Sequence, residues 1–323
     1  MLLLTEQSRV AIAMVLTASF FAAAGDGVLY AQSGQIVITS AASFQRGLPP
    51  KGSISSAFCT GLQVQGVIYA TTNPLPFTLD GISVAVGGAQ APILGVADDG
   101  GYQQINFEVP QEAVPNSDGT WTVTASQGAV QLTTQSAGLQ SPGDFFWVAS
   151  NLAAFQHAAD YSLVSEQSPA HPGEILIGYL TGLPGTQPVV PTGAASPFSP
   201  LAIVPQPNTT TVVDQFALLF NGTVVANSCP VVNSPCQPSN LLWLGLTPGT
   251  VGLYQLNFVV PPSIAPGNVA IQLQRSTCAT ISGTPCGGMG APFVANATAG
   301  CISLGGGGTR DVCTGSAVAL PIR

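Results

Sequence analysis

Charge is what this sequence has least of. Only 6% of its 323 residues are Asp, Glu, Lys or Arg, against about 25% in an average soluble chain. Six residues are basic, and none of them lies between Lys51 and Arg275. A nucleic-acid partner needs clustered cations to release counterions from phosphates. An anionic membrane surface draws on the same clusters. The cation gap excludes the first partner and disfavours the second. Histidine is almost missing as well, with His157 and His171 the two imidazoles of the chain. General acid–base and nucleophilic chemistry needs titratable groups within reach of one another, and this chain offers few.

Glycine, proline and apolar residues fill the space that charge leaves. Hydrophobic residues make up 46%, with 37 Gly and 27 Pro. Abundant turn-formers and β-branched residues with little Lys or Glu point to short strands and loops, an all-β fold. One apolar run stands apart. Arg9 precedes Val10–Ala24, and small residues follow. That is the layout of a secretory signal peptide, residues 1–31, with cleavage after Ala24 or Ala31. The run falls short of the roughly 18–20 apolar residues a membrane anchor needs. The expected product is exported, secreted or held at the cell surface or in the periplasm, with no membrane span in the mature chain.

Two stretches repeat one another. "PKGSISSAFCTGLQ" (50–63) and "HPGEILIGYLTGLP" (171–184) share Gly-x-Ile, an aromatic residue and Thr-Gly-Leu in the same places. Downstream, "GISVAVGGAQAPIL" (81–94) and "FALLFNGTVVAN" (216–227) each read as strand, two-residue turn and strand. Gly-Gly and Asn-Gly are strong hairpin signals. "YQQINFEVP" (102–110) then pairs with "YQLNFVVP" (254–261), and "TWTVTAS" (120–126) with "NVAIQLQ" (268–274). Four landmarks in one order predict a tandem repeat, the second copy carrying loop insertions. Such strands need a second layer to cover their apolar faces. The expected organisation is therefore tandem immunoglobulin-like β-sandwiches. Residues 32–140 form the first; 141–170 bridge, supplying strands to the second; 171–323 form the second, with Cys-rich insertions.

On these residues the chain resembles the uncharacterised Solibacter-type C-terminal domain of secreted acidobacterial proteins. "SAASFQRG", "PPKGSISSAFCTGL" and "YQQINFEVP" are similar to that family's Asn-Ala-Ala-Ser-Phe start, its Pro-Gly-Ser before a strand with a Gly-Thr-x-Leu turn, and its Gln-Ile-Asn-Phe-x-Val-Pro. "SPGDFFWVASNLAAFQHAADYSLVSEQSPAHPGEILIGYLTGL" and "TPGTVGLYQLNFVVPPSIAPGN" are similar to its second half. The resemblance spans roughly residues 36–275 and the closing "SAVALPIR". It implies a tandem sandwich related to IPT/TIG-like Ig folds and an exported protein, and carries over no functional residue. The Cys-bearing loops and the insert at 278–314 depart from the pattern.

The candidate chemistry is thin. A Ser-His-Asp triad could draw on His157 and Asp160, yet no Gly-x-Ser-x-Gly elbow accompanies them. Packing or turn roles fit both histidines better. Asp98 and Asp99 sit beside glycines in "VADDGG" without a calcium-loop pattern. With Glu108, they are the residues a carboxylate-only mechanism would use first. Trp121 and Trp243 lie in strand-like runs and read as core, and Trp147 as packing between the copies. "GGGG" (305–308) lacks the phosphate-loop spacing. No cofactor or metal is implied.

Of seven cysteines, Cys59 aligns with Leu180 and reads as a buried thiol. The other six follow residue 228. Six cysteines permit 15 pairings; spacing favours Cys229–Cys236, Cys278–Cys286 and Cys301–Cys313. The leading expectation is an exported non-enzymatic interaction or structural protein that meets an extracellular protein, a surface polymer or itself. The alternative is a glycan-binding module or a divergent polysaccharide hydrolase.

Overall fold

The computed structural model describes residues 34–98, 100–139, 142–149, 152–183, 185–204, 212–227, 241–279, 298–304 and 310–323. Every long element among them is a β-strand, so the fold is all-β. The first half contains β1 (Ile36–Ser40), β2 (Ile54–Cys59), β3 (Val67–Tyr69), β4 (Thr78–Leu79) and β5 (Ile82–Val86). It continues with β6 (Ala89–Ala91), β7 (Ile93–Asp98), β8 (Gln103–Glu108), β9 (Trp121–Gln127) and β10 (Val130–Ser136). Next come β11 (Asp144–Phe145), β12 (Trp147–Ala149), β13 (Leu152–Ala153), β14 (Phe155–His157) and β15 (Ile175–Thr181). Then follow β16 (Val212–Phe220), β17 (Thr223–Asn227), β18 (Leu241–Leu246) and β19 (Tyr254–Val259). The chain closes with β20 (Gly267–Ala279), β21 (Gly300–Leu304), β22 (Arg310–Thr314) and β23 (Val318–Ile322).

These strands make four sheets. One runs β1-β2-β8-β7-β3 and a second β10-β9-β5-β4, with β6 on β5. A third runs β11-β15-β19-β18, with β14 also on β15, and a fourth β12-β13-β23-β20-β16-β17, with β22 on β20 and β21 on β22. Period-two burial in β5, β9 and β19 shows why they are strands. Ile82, Val84 and Val86 point one way into a core, and Tyr254, Leu256 and Phe258 do the same in the other half.

The first two sheets share one apolar core, which includes Ala57, Cys59, Val84, Ile105, Phe107 and Val123. The other two share a second core, which includes Phe155, Leu180, Phe216, Leu256, Phe258 and Leu320. Each half is thus sandwich-like, two sheets closing over one interior.

Local chemistry fixes two of the hairpins. Gly87 and Gly88 (φ 53° and 83°) join β5 to β6, and Asn221 and Gly222 (φ 49° and 75°) join β16 to β17. Positive φ at both central residues is the type I′ turn, whose twist matches that of the flanking strands. Pairing is equivalent across the halves as well: Ser55 faces Phe107 on β2–β8, and Leu176 faces Phe258 on β15–β19. The tyrosines do not share this equivalence. Tyr102 precedes β8 by one residue, whereas Tyr254 opens β19. The Asn-Phe-x-Val-Pro stretches, not the tyrosines, carry the matching pairing.

The second core depends on a glycine. Gly178 lies opposite Phe155 on β14–β15, and a Cβ there would sit 2.6 Å from the Phe155 ring and 3.2 Å from that of Phe145. The Phe155 ring stacks edge-on against Phe145 at 5.1 Å and Phe258 at 5.5 Å. It has no room to retreat. Gly178→Ala is expected to cost about 1–3 kcal/mol by overpacking, read by denaturant unfolding; an unchanged midpoint would contradict this packing.

Candidate functional site

The most built-up region outside the two cores is the seam between the halves. Its apolar part is Ala41, Ala42 and Ile54 against Phe146, Ala154, Ile177, Tyr179 and Leu253. Polar bonds cross it at three points. The Ile54 N–H donates to Thr181 Oγ1 at 2.8 Å, and that hydroxyl donates to Gly252 O at 3.1 Å. Ser43 Oγ donates to Asp144 Oδ2 at 2.7 Å, while Asp144 Oδ1 accepts from Ser316 N at 3.0 Å. Trp147 Nε1 donates to Ala42 O at 2.5 Å, its ring edge-on to Phe44.

At the other end, residues 192–195 of the second half lie against the first half. Gly193 N donates to Glu108 Oε2 at 2.6 Å, and Leu75 N donates to Gly193 O at 2.8 Å. Gln111 N donates to Thr192 Oγ1 at 3.0 Å, which donates to Glu112 Oε2 at 2.7 Å. Ala195 N donates to Asn73 Oδ1 at 3.0 Å. Gly193 has φ +78°, and a Cβ there would press on Pro92 at 3.1 Å. Glycine is needed both for the turn and for the close approach.

Glu108 is 3% exposed. Burial pushes its carboxyl up to about 7, against the pull of the Gly193 N–H and with a further push from the Glu112 charge. Burial, and then the Glu108 charge, raise Tyr254 as well. A carboxyl enclosed by the seam and bonded to backbone holds a loop in place. It is not free to meet a substrate.

Asp98, by contrast, is exposed and bonds its own turn, accepting from Gly101 N at 3.3 Å and Gln103 Nε2 at 3.4 Å. It faces Gln103 at the start of β8, while Glu108 is at the far end of that strand. The structure therefore does not bring these two carboxylates together. Asp99 lies outside the described residues.

His157 does have an acid, but it is Glu174 rather than Asp160. Nδ1 lies 2.7 Å from Glu174 Oε1, and Nε2 lies 3.1 Å from Ser168 O and 3.2 Å from Ser168 Oγ. Asp160 is spent on its own turn, accepting from Ser162 N and Ser162 Oγ. Those two bonds, with the nearby His157, hold its carboxyl below the ordinary range. The order serine, histidine, carboxylate invites comparison with a hydrolytic triad. However, the serine's own N–H, a donor an oxyanion at Ser168 would need, is committed to Ser165 O and Oγ. The ring's second nitrogen also faces a backbone carbonyl. The arrangement bolts residues 158–168 onto β14 and β15. His171 is exposed, and its carbonyl accepts from Glu174 N.

Among the described residues no group of three or more His, Cys, Asp or Glu could hold a metal ion. Trp121, Trp147 and Trp243 stand on three separate strands, β9, β12 and β18. Cys301 and Cys313 face each other on β21–β22 and form a disulfide. Cys59 is a free, fully buried thiol, pushed up to about 12 by burial. Cys278 falls on β20; Cys229, Cys236, Cys286 and Gly305–Gly308 lie outside the described residues. Sequence reasoning missed Asp144, Thr181 and the role of the loop around Gly193. The only local signal was an acid set directly before an aromatic run in "SPGDFF". No family model matches the chain, and no curated protein matches it either.

Glu108 makes a testable statement about pH. Its ordinary value is 4.5 and its folded value about 7, so its contribution to stability is full below 4.5 and is lost as pH rises through 7. The wild-type chain is expected to lose on the order of 3 kcal/mol from this group across that window. Glu108→Gln keeps an acceptor for Gly193 N and should remove that part of the slope. Denaturant unfolding at several pH values decides it; identical slopes in the two proteins would refute the assignment.

Proposed function

We propose that this chain is an exported, non-enzymatic interaction or structural protein built from two repeated Ig-like modules. In this reading it works by adhesion, envelope assembly or docking onto an extracellular partner. Support for the repeat comes from matching strand order, β2-β8-β7 beside β15-β19-β18 and β9-β5 beside β20-β16, and from the two type I′ hairpins. The resemblance to the Solibacter-type domain and, separately, the signal-like N-terminus point the same way. The Cys301–Cys313 bridge fits an oxidising compartment.

One observation carries the non-enzymatic half of the proposal. In the Glu174–His157–Ser168 arrangement, the backbone N–H of the serine itself is bonded internally to Ser165. The test is turnover of ester, peptide and polysaccharide panels by the purified exported chain, alongside its retention on insoluble envelope material. Retention without turnover is the expected result. Turnover that disappears in Ser168→Ala or His157→Ala, with circular dichroism unchanged, would overturn it.

A further inference from the structure

We propose that β10 is a self-pairing edge, through which two copies of this chain join their β9–β10 sheets antiparallel with Thr133 against its own copy. The inference rests on the reading that the chain works by association, and names the partner. β10 is the longest edge strand among the described residues, seven residues long and paired to β9 alone. Its hydrogen-bonding sides can be assigned. Gly87 N donates to Thr122 O, so Thr122, Thr124 and Ser126 turn their backbone groups toward β5. The intervening residues of β9 turn theirs toward β10. Through the register Gln127↔Val130, Ala125↔Leu132 and Val123↔Thr134, Val130, Leu132 and Thr134 of β10 bond to β9. Gln131, Thr133 and Gln135 therefore direct their N–H and C=O groups away from the sheet. No backbone partner for these three is present among the described residues.

Neighbouring edges are treated differently. Gly47 N donates to Ile38 O, which covers β1, and Leu246 N donates to Ala202 O, which covers β18. The strands β3, β4, β11 and β12 are two or three residues long. Covering and shortening are the usual means of blocking edge-to-edge pairing. Beyond β10, Leu48 N donates to Ala137 O and Leu139 N to Leu48 O, so the open stretch ends at Ser136.

Charge selects the occupant. Two-fold pairing sets the strand against its own copy, where like charges repel. The chain carries a net charge of −8, yet Val130–Ser136 and Trp121–Gln127 contain no charged residue and no proline. The exposed face of the pair is hydroxyl and amide, with Thr124 and Thr133 hydrogen-bonded at 3.0 Å and Gln135 bonded to Asn116 at 2.7 Å. A copy in the register Gln131↔Gln135 and Thr133↔Thr133 satisfies every outward backbone group of the three residues.

Sedimentation velocity of the exported chain from micromolar to millimolar concentration, with amide hydrogen exchange on the same samples, tests this. The expected result is a concentration-dependent dimer in which the Gln131 and Thr133 amides gain protection as the dimer forms. Thr133→Lys, on an exposed side chain, should weaken the dimer about tenfold or more, and Gln131→Pro should weaken it by removing one outward donor. A chain monomeric throughout, or a dimer with these amides unprotected and indifferent to Thr133→Lys, would overturn the proposal. A monomer that still binds envelope material would sink edge pairing and leave the association reading intact. Edge dimers with genuine catalytic turnover would do the reverse.

Discussion

The backbone N–H of Ile54 finds its acceptor 127 residues away, in the hydroxyl of Thr181. Ile54 opens β2, the strand next to the centre of its sheet, and both residues are fully buried. A buried donor left unmade costs about 1–3 kcal/mol, so neither half can present this surface to an apolar environment alone without loss. The Thr181 hydroxyl passes the demand on to Gly252 O. Around this bond Ile54, Ile177, Tyr179 and Leu253 exclude water. The arrangement of the two sandwich-like units follows from that small enclosed contact.

Scarcity of cations shapes the rest of the seam. Two buried carboxylates, Glu108 and Asp144, stand in a stretch of chain without a single Lys or Arg. Burying a carboxylate demands hydrogen bonds where no counter-charge exists. Asp144 takes its bonds from Ser43 and Ser316, and Glu108 takes its bond from the Gly193 N–H. Backbone and hydroxyl donors do here what arginine does in more highly charged proteins. Such donors must be held by loops, and the loop around Gly193 supplies one of them.

What could be read in advance was local. Gly87-Gly88 and Asn221-Gly222 specify their turns within four residues, so both hairpins were legible. Cys59 was legible as a buried thiol from its alignment with Leu180, and the Cys301–Cys313 pairing followed from short spacing. The seam was not legible, because its bonds join residues 80 to 127 positions apart whose types are ordinary in turns. His157 shows the same limit in miniature. Asp160 is nearer in sequence, but its Oδ1 accepts both bonds of the Ser162 turn that it caps, and the more distant Glu174 takes the ring nitrogen. Proximity in sequence favoured an acid that local hydrogen bonding had already claimed.

If the seam unites the halves, they cannot unfold separately. Denaturant-dependent hydrogen exchange across the chain measures this directly, because it reports the opening free energy of each strand. The account predicts that the core amides of β8 and β19, one from each half, converge on a single global opening with one denaturant dependence. Two separate openings, with one half still protected after the other has exchanged, would contradict it.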